Sequence, residues 1–231
     1  MGTDDGGPHG YGSDGKPKHR VELTRPFLMG QTQVTQAQWE AVMGNNPSHF
    51  KGPQLPVEEV NWFECVRFLN TLSEAERLTP VYNVGWGDEP TVETVWEANG
   101  YRLPTEAEWE YSAKAGTELT YSGSNSIDEV AWYEENSGSK THPIAQKKPN
   151  SWGLYDMSGN VWEWCNDEWD SDRYKGRTGT TKDPRPFASA PAPRVGRGGD
   201  WGRGPDGCRV ACRSRSGPGL RGFVLGFRFL R

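Results

Sequence analysis

Cysteine and histidine are both scarce in this sequence, with four of each in 231 residues. Such a low cysteine count argues against the dense disulfide framework of a small secreted protein. The cysteines are Cys65, Cys165, Cys208 and Cys212. No CxxC or HExxH spacing is present. We therefore expect no zinc site built from ligands that are neighbours in the sequence.

Long hydrophobic runs are also missing. No window approaches the about 20 consecutive apolar residues of a membrane-spanning helix. The first 18 residues are rich in Gly and Asp and lack the apolar core of a signal peptide. We expect no membrane insertion, and the sequence leaves the localisation open. The net charge of −5, from 26 basic and 31 acidic residues, predicts no nucleic-acid binding.

Turn-forming and aromatic residues are abundant instead. The chain has 29 glycines and 17 prolines, a content that argues against a helical bundle or a coiled coil. Only 33% of the residues are hydrophobic, but 11 Trp, 8 Tyr and 8 Phe are among them. Because each aromatic side chain buries a large area, few are needed to build a core. The composition predicts a compact domain with long ordered loops.

Three segments predict helices, each behind a residue that can cap the helix N-terminus. The three N-caps are Thr35, Asn61 and Thr105. The first helix is expected over Gln36–Met43, stopped by Gly44. Glu108, three residues after Thr105, completes a capping box for the third helix, which is expected to end at Gly116. No good helix is predicted beyond that glycine.

Short strands separated by long loops account for the rest of the expected structure. They are predicted at Arg20–Leu28, Tyr101–Leu103, Val161–Trp164, Arg197–Trp201, Arg209–Arg213 and Gly226–Leu230. Strand alternation places Trp162 and Trp164 on one face, and residues 79–100 are expected to be an irregular insertion. Few helices and short strands predict an α+β fold. We expect a loop-like lead over residues 1–18 and a single domain over residues 19–231.

Several strings are more specific than this general pattern. They lie at 34–39, 46–48, 55–57, 101–110, 153–164, 197–199 and 226–228 and read VTQAQW, NPS, LPV, YRLPTEAEWE, GLYDMSGNVWEW, RGG and GFR. In this order, and over nearly the whole chain, they resemble the formylglycine-generating, sulfatase-modifying family. The resemblance implies a C-type-lectin-like variant of the α+β fold with extensive irregular loops.

Enzymes of that family hold copper between two cysteines that have four other residues between them, soon after a Gly-Gly-Ser-aromatic string. The matching string here is Gly198–Trp201, and a single cysteine, Cys208, follows before Arg209. If residues 209–213 form a strand, Cys208 and Cys212 lie about 13 Å apart, too far for one metal ion. We therefore expect no copper and no catalysis. The alternatives are an oxidase that acts on a protein cysteine through an atypical metal site, and a structural accessory domain.

The last 34 residues, 198–231, contain no Lys, Glu, Gln or Met, where typical usage predicts about six. This composition resembles the variable proteins of diversity-generating retroelements. Randomised adenines in Asn codons of those systems give Asp, Gly, Arg, Ser, Cys, Val, Leu or Phe, but never Lys, Glu, Gln, Met or Trp. The resemblance implies that 198–228 is a variable region that binds a ligand, which we expect to be a protein. The alternative is GC-rich coding of a loop-rich C-terminus.

The predicted ligand-binding residues lie between positions of a fixed frame. They are Asp200, Gly202, Arg203, Gly204, Gly207, Val210, Cys212, Ser214, Arg215, Ser216, Gly217, Leu220, Gly222, Phe223 and Val224. The side chains expected to be exposed on one face are Arg203, Ser214, Arg215, Ser216, Leu220, Phe223 and Val224. Those expected to be buried are Trp201, Ala211, Leu225 and Phe227.

The resemblance also implies a calcium site. The family's enzymes bind calcium through residues that match Asp156, Gly159, Val161 and Glu163, the glycine and valine through their carbonyls. Calcium prefers six to eight hard oxygen ligands, and two carboxylates with carbonyls suit it. The alternative is a turn held by carboxylate–backbone hydrogen bonds.

Overall fold

A computed structural model describes residues 1–4, 15–175, 177, 179–185 and 192–231. The three predicted helices are present: α1 (Gln36–Met43), α2 (Trp62–Ala75) and α3 (Glu106–Lys114). Each begins with the expected N-cap in a complete capping box, so these predictions are confirmed. A short α4 (Ile127–Val130) follows where no helix was expected. None of the helices in the described residues has the length and apolarity of a membrane span.

Eight short strands accompany these helices in the described part of the chain. They are β1 (Arg20–Glu22), β2 (Tyr82–Val84), β3 (Val92–Thr94), β4 (Trp162–Glu168), β5 (Thr180–Lys182), β6 (Arg194–Arg197), β7 (Arg213–Ser216) and β8 (Leu225–Gly226). Four of them form the central sheet in the order β7-β6-β4-β8. Strand β6 is antiparallel to both β4 and β7, whereas β4 and β8 are parallel. The fold is therefore α+β, as the sequence predicts.

Several predicted strand boundaries are wrong. Residues 209–213 are not a strand: a 3-10 helix (Pro205–Cys208) and a turn lead into β7, which begins at Arg213. Strand β6 ends at Arg197 because Gly198 and Gly199 take positive φ angles of 101° and 80°. The predicted insertion at 79–100 contains an antiparallel hairpin, formed by β2 and β3. The predicted N-terminal lead, residues 1–18, stays a prediction, and its residues 5–14 lie outside the described part.

Strand β4 runs through the interior with both faces covered. Trp162 and Trp164 share a face, as predicted, and pack in the larger apolar core with α2. Glu163 and Cys165 lie on the other face, where Trp109 of α3 donates its indole N–H to Glu163 at 2.6 Å. The sheet therefore separates two side-chain layers, one of which contains buried charge.

Three buried arginines tie the C-terminal strands and loops to the rest of the domain. Their partners lie on α3 and β4: Arg197 pairs with Glu110 at 2.6 Å, Arg213 with Glu106 at 2.6 Å and Arg228 with Glu163 at 2.7 Å. All six side chains are at most 3% exposed. Removing one partner from such a pair leaves an uncompensated buried charge, which costs about 3–5 kcal/mol. These pairs fix the frame on which the surface loops are built.

Candidate functional site

The C-terminal segment 198–228 leaves the sheet at a close crossing. A Cβ on Gly199 would lie 2.7 Å from the Gly207 carbonyl oxygen and 2.8 Å from Cys208 Sγ. With its φ of +80°, this position accommodates only glycine comfortably. The crossing packs the turn after β6 against the 3-10 helix. From there the chain forms β7 and returns to β8 through the loop 217–224.

Four of the seven side chains expected to be exposed are exposed. Arg203 is 48% exposed, Leu220 51% and Phe223 45%, and Arg215 also faces solvent. Ser214, Ser216 and Val224 are half-buried, and Val224 packs against the larger core. The exposure prediction is therefore confirmed for four positions and only partly met at the other three.

Four of the predicted contact residues are buried in the fold. Asp200 is 2% exposed, Val210 2% and Cys212 0%, and Gly207 is buried beneath Arg203. The side chains of Asp200, Val210 and Cys212 fill space within the domain, and Gly207 leaves room for Arg203, so these four residues are placed to support the surface and not to touch a partner. The remaining candidates are glycines with partial or full exposure: Gly202, Gly204, Gly217 and Gly222.

The expected frame residues fall into two groups. Leu225 and Phe227 are buried, at 4% and 0% exposure, as predicted. Trp201 and Ala211 are only half-buried, which corrects the prediction. Trp201 lies at the surface because its ring packs on other surface rings, and its indole N–H donates to the Phe223 carbonyl at 3.2 Å.

The positions that were expected to be exposed also divide between the two edges of the sheet. Ser214, Arg215 and Ser216 belong to edge strand β7, whereas Phe223 and Val224 immediately precede β8 at the opposite edge. Three interstrand spacings separate these edges by about 14 Å. The structure thus offers two groups of candidates, where the sequence predicts one continuous face.

Four rings, those of His49, Phe50, Trp201 and Phe223, pack together in what we call the aromatic patch. Trp201 and Phe223 stack at a centroid distance of 5.8 Å, and Phe50 meets Trp201 edge-on at 5.8 Å. His49 lies 5.9 Å from Phe223 and 4.8 Å from Phe50. Two of the rings come from the C-terminal segment, and two come from a loop about 150 residues earlier.

Sequence reasoning missed His49 and Phe50. The only nearby signal is the string at 46–48, which marks an ordered loop but not what that loop faces. The buried carboxylate of Glu58 holds the loop, since its Oε1 accepts from the Phe50 N–H at 2.8 Å. Burial raises the pKa of Glu58 above its ordinary value.

The two C-terminal cysteines are both fully buried. Cys212 packs in the larger core, and Cys208 packs in a separate cluster with Tyr121 and Tyr133. Because 209–213 is not a strand, the separation inferred from strand geometry does not apply. Burial raises the pKa of both thiols.

The residues of the predicted calcium site do converge, but on the side-chain amide of Gln33. Gln33 Nε2 lies within 3.4 Å of four oxygens. They are the carbonyls of Asp156, Gly159 and Val161 and Oε1 of Glu163. The Asp156 carboxylate points elsewhere and accepts from the Ala145 N–H at 2.8 Å. Only one of the two expected carboxylates therefore faces the point of convergence.

This oxygen set fits a hard cation in its chemistry, because three carbonyls and a carboxylate are ligands that calcium prefers. Gln33 Nε2 donates where a cation would sit, and Gln33 Oε1 is buried without a hydrogen-bond partner. The Glu163 carboxylate already forms an ion pair with the Arg228 guanidinium group. Among the residues the structure describes, no three His, Cys, Asp or Glu side chains are grouped to hold a metal.

Comparison with sequence families gives one match that spans the chain. Residues 2–231 match the family described as the sulfatase-modifying factor enzyme 1-like domain. The chain is 40% identical over 211 residues to chaperone protein LppX of Paenibacillus barcinonensis, covering 76% of this chain and 69% of that protein. It is 32% identical over 265 residues to the formylglycine-generating enzyme of Streptomyces coelicolor, covering 95% and 82%.

Comparison with solved structures gives a similar protein that is not named as an enzyme. Treponema denticola variable protein 1 superimposes with a TM-score of 0.84 at 42% identity. The match covers 91% of this chain and 85% of that one. The chain is thus similar both to an enzyme and to a protein named for its variability.

Proposed function

This chain belongs to the sulfatase-modifying factor enzyme 1-like family, and from that premise we propose that it is a non-catalytic ligand-binding member of it. The binding surface is the C-terminal segment 198–228, diversified by a retroelement, and the ligand is a protein. The aromatic and basic side chains of this segment make the contacts, and the buried arginine pairs hold the frame beneath them.

The observation that carries this proposal is the exposure of Leu220 and Phe223, at 51% and 45%. Large apolar side chains on surface loops lose burial energy unless a partner covers them. Arg203 and Arg215 are exposed in the same segment. Aromatic and arginine side chains dominate the energetics of protein interfaces. The likeness to a variable protein over 91% of the chain supports the same function.

The buried thiols support the absence of copper chemistry. A Cu(I) site needs soft thiolate ligands that a substrate can reach. Cys208 and Cys212 are both fully buried, and burial disfavours their thiolates by raising their pKa. Each cysteine packs as a small apolar side chain in its own hydrophobic cluster.

The DNA around the gene tests the diversification directly. We expect a near-copy of the region that codes for residues 198–228, differing from it only at adenine positions of the copy. Codons for the frame residues Gly198, Gly199 and Trp201 should be the same in both. A search that finds no such copy, or a copy whose differences fall equally on all four bases, would contradict the retroelement origin.

An oxidase acting on a protein cysteine is the second candidate, favoured by 32% identity to a formylglycine-generating enzyme over 95% of this chain. The test incubates the protein with Cu(I), oxygen, a thiol reductant that supplies the two further electrons for the reduction of oxygen, and a peptide that carries a sulfatase-type cysteine. We expect no aldehyde above the level without protein, measured by mass spectrometry. Turnover that disappears in Cys208→Ser would overturn the non-catalytic proposal.

We also propose that calcium binds where the Gln33 amide now donates. The carbonyls of Asp156, Gly159 and Val161 and the Glu163 carboxylate would hold it. Exchange of the two ends of the Gln33 amide would add a fifth oxygen. The ion would tie the loop 156–161 to β4 electrostatically, which is a structural role.

A further inference from the structure

We propose that His49 and Phe50 are ligand-binding residues, forming a constant half of the binding surface that every variant of the C-terminal segment shares. The partner is a protein that lays an apolar side chain across the aromatic patch. This inference rests on the proposed function and extends it to a loop that contributes nothing to the diversified segment.

The first argument is that the four rings form one connected surface. Phe50 joins the C-terminal segment through Trp201, and His49 joins it through Phe223, at centroid distances of 5.8 and 5.9 Å. Offset and edge-on aromatic pairs at such distances are attractive. A partner atom that touches the exposed Phe223 ring therefore meets the neighbouring rings as well.

The second argument is exposure. His49 and Phe223 are exposed, and Phe50 and Trp201 are half-buried, so the patch is part of the surface and not of the core. The Trp201 indole N–H donates to the Phe223 carbonyl, which leaves the indole with only its apolar surface for contact with a partner. An apolar patch surrounded by polar residues marks a site of protein–protein contact.

The third argument is that the loop is held in place before any partner binds. Glu58 Oε1 accepts from the Phe50 N–H at 2.8 Å, and the Glu58 N–H donates to Ser48 Oγ at 3.1 Å. Both Glu58 and Ser48 are buried, at 0% and 1% exposure. On the other side of the patch, the Trp201 backbone N–H donates to the Asn160 carbonyl at 3.0 Å. A surface that is already ordered pays less conformational entropy on binding.

The packing of the rings also indicates the kind of partner. Small-molecule sites are concave and bury most of their ligand. Here the four rings pack on one another, with centroids 4.8–5.9 Å apart. A filled apolar surface suits the flat or protruding face of a protein, in which a central apolar anchor is surrounded by polar contacts.

The division of roles follows from the sequence positions. Three of the rings lie at positions that do not vary in our assignment, since Trp201 belongs to the fixed frame and His49 and Phe50 lie outside the segment. Only position 223 varies, and it stacks on Trp201. The constant rings thus supply general affinity for apolar protein surface, and the variable side chains select the partner.

The test starts from a library of the full chain randomised at Arg203, Arg215, Leu220 and Phe223. Binders are selected against one purified protein, hen lysozyme, and several independent clones are kept. Phe50→Ala and His49→Ala are then introduced into each clone. The control is Trp152→Ala, because Trp152 is a surface aromatic of similar exposure, 48%, that packs on Tyr111 away from the patch. Dissociation constants and melting temperatures are measured for every variant.

We expect Phe50→Ala to weaken lysozyme binding about tenfold or more in most clones, His49→Ala to weaken it about threefold or more, and the control to change it less than twofold. His49 is exposed, so its replacement tests the inference even if Phe50→Ala lowers stability. Clones that bind equally well after both replacements would overturn the inference and leave the proposed function intact. A folded library that yields no binder would overturn the proposed function and the inference together.

Discussion

The C-terminal segment uses arginine in two opposite ways. Arg213 and Arg228 are buried and bonded to carboxylates of α3 and β4, whereas Arg203 and Arg215 extend into solvent. Arg213 and Arg215 are only two residues apart on β7, and both guanidinium groups approach the Trp169 ring, at 4.5 and 5.5 Å. Two arginines on the same face of β7 therefore differ in role: Arg213 belongs to the buried frame, and Arg215 belongs to the exposed surface.

The contrast between buried, paired arginines and exposed ones explains how one short segment can be both stable and variable. Burial and pairing concentrate the folding energy in a few side chains, and the positions between them contribute little. Substitutions at exposed positions typically change stability by less than about 0.5 kcal/mol. A segment with this division tolerates changes at the surface without losing the fold, which a binding surface that varies requires.

Replacing a frame arginine should give the largest contrast. Arg228→Met leaves Glu163 buried and unpaired, so we expect a loss of about 3–5 kcal/mol in the free energy of unfolding. Arg215→Met, the matched exposed change, should cost less than about 0.5 kcal/mol. Urea unfolding of the two variants measures both. Equal losses would show that the segment has no frame distinct from its surface.

Two phenylalanines four residues apart sharpen the same comparison. Phe227 is fully buried and packs on Trp39 and Phe68, whereas Phe223 is 45% exposed. Phe227→Ala should cost about 3–5 kcal/mol, as truncation of a buried aromatic side chain usually does. Phe223→Ala should cost less than about 1 kcal/mol, because its ring loses only partial packing. A Phe223→Ala variant as unstable as Phe227→Ala would place position 223 in the core.

Addition of calcium tests whether the oxygens around Gln33 Nε2 bind a metal ion that stabilises the frame. We expect millimolar calcium to raise the melting temperature and a chelator to reverse it, with a gain of about 2.7 kcal/mol when calcium is at a hundred times its dissociation constant. Gln33→Glu should be less stable than wild type without calcium, since it sets a carboxylate among four oxygens. It should gain more than wild type when calcium is added.

Asp156→Asn serves as the control for that experiment. Its carbonyl is retained and its carboxylate faces Ala145 rather than Gln33, so it should keep the calcium response. If calcium shifts neither wild type nor Gln33→Glu, the oxygen set is a hydrogen-bonded turn and not a metal site.

A dependence of stability on pH is expected from the buried carboxyl of Asp167. Burial, followed by the nearby Glu106 carboxylate, raises the pKa of Asp167 from 3.8 to about 7. Because the folded state keeps this proton while the unfolded state releases it, the stability from Asp167 is complete below about pH 4 and is lost as pH rises through about 7.

Asp167→Asn keeps an acceptor for the Glu106 N–H, which Asp167 Oδ2 accepts at 2.7 Å. The melting temperature of this variant should depend less on pH than that of wild type across the same window. Parallel profiles for the two proteins would mean that Asp167 does not titrate there.

Local sequence signals are sufficient to predict the first three helices and to identify the family. Each N-cap depends on residues within four positions, as in Thr105 and Glu108, so short-range chemistry determines it. The alternation at Trp162 and Trp164 was also reliable, because β4 is buried on both faces. The buried pairs, such as Arg228 with Glu163, join residues 65 apart, and no local pattern predicts them.

The predicted strand at 209–213 is wrong because glycine and proline residues before it turn the backbone. The segment 209–213 alternates like a strand, but the 3-10 helix begins at Pro205 and the crossing at Gly199 turns the backbone first. The aromatic patch could not be foreseen, because Phe50 and Trp201 meet only through the tertiary fold. Likewise, the burial of Asp200, Val210 and Cys212 depends on which elements cover them and not on their type.

The most direct test of the division between frame and surface compares two libraries of the full chain. One randomises the exposed positions Arg203, Arg215, Leu220 and Phe223, and the other randomises the buried positions Val210, Cys212, Leu225 and Phe227. The fraction of clones that resist proteolysis measures how many fold. The account predicts that most clones of the first library fold and few of the second do. Equal folded fractions in the two libraries would contradict it.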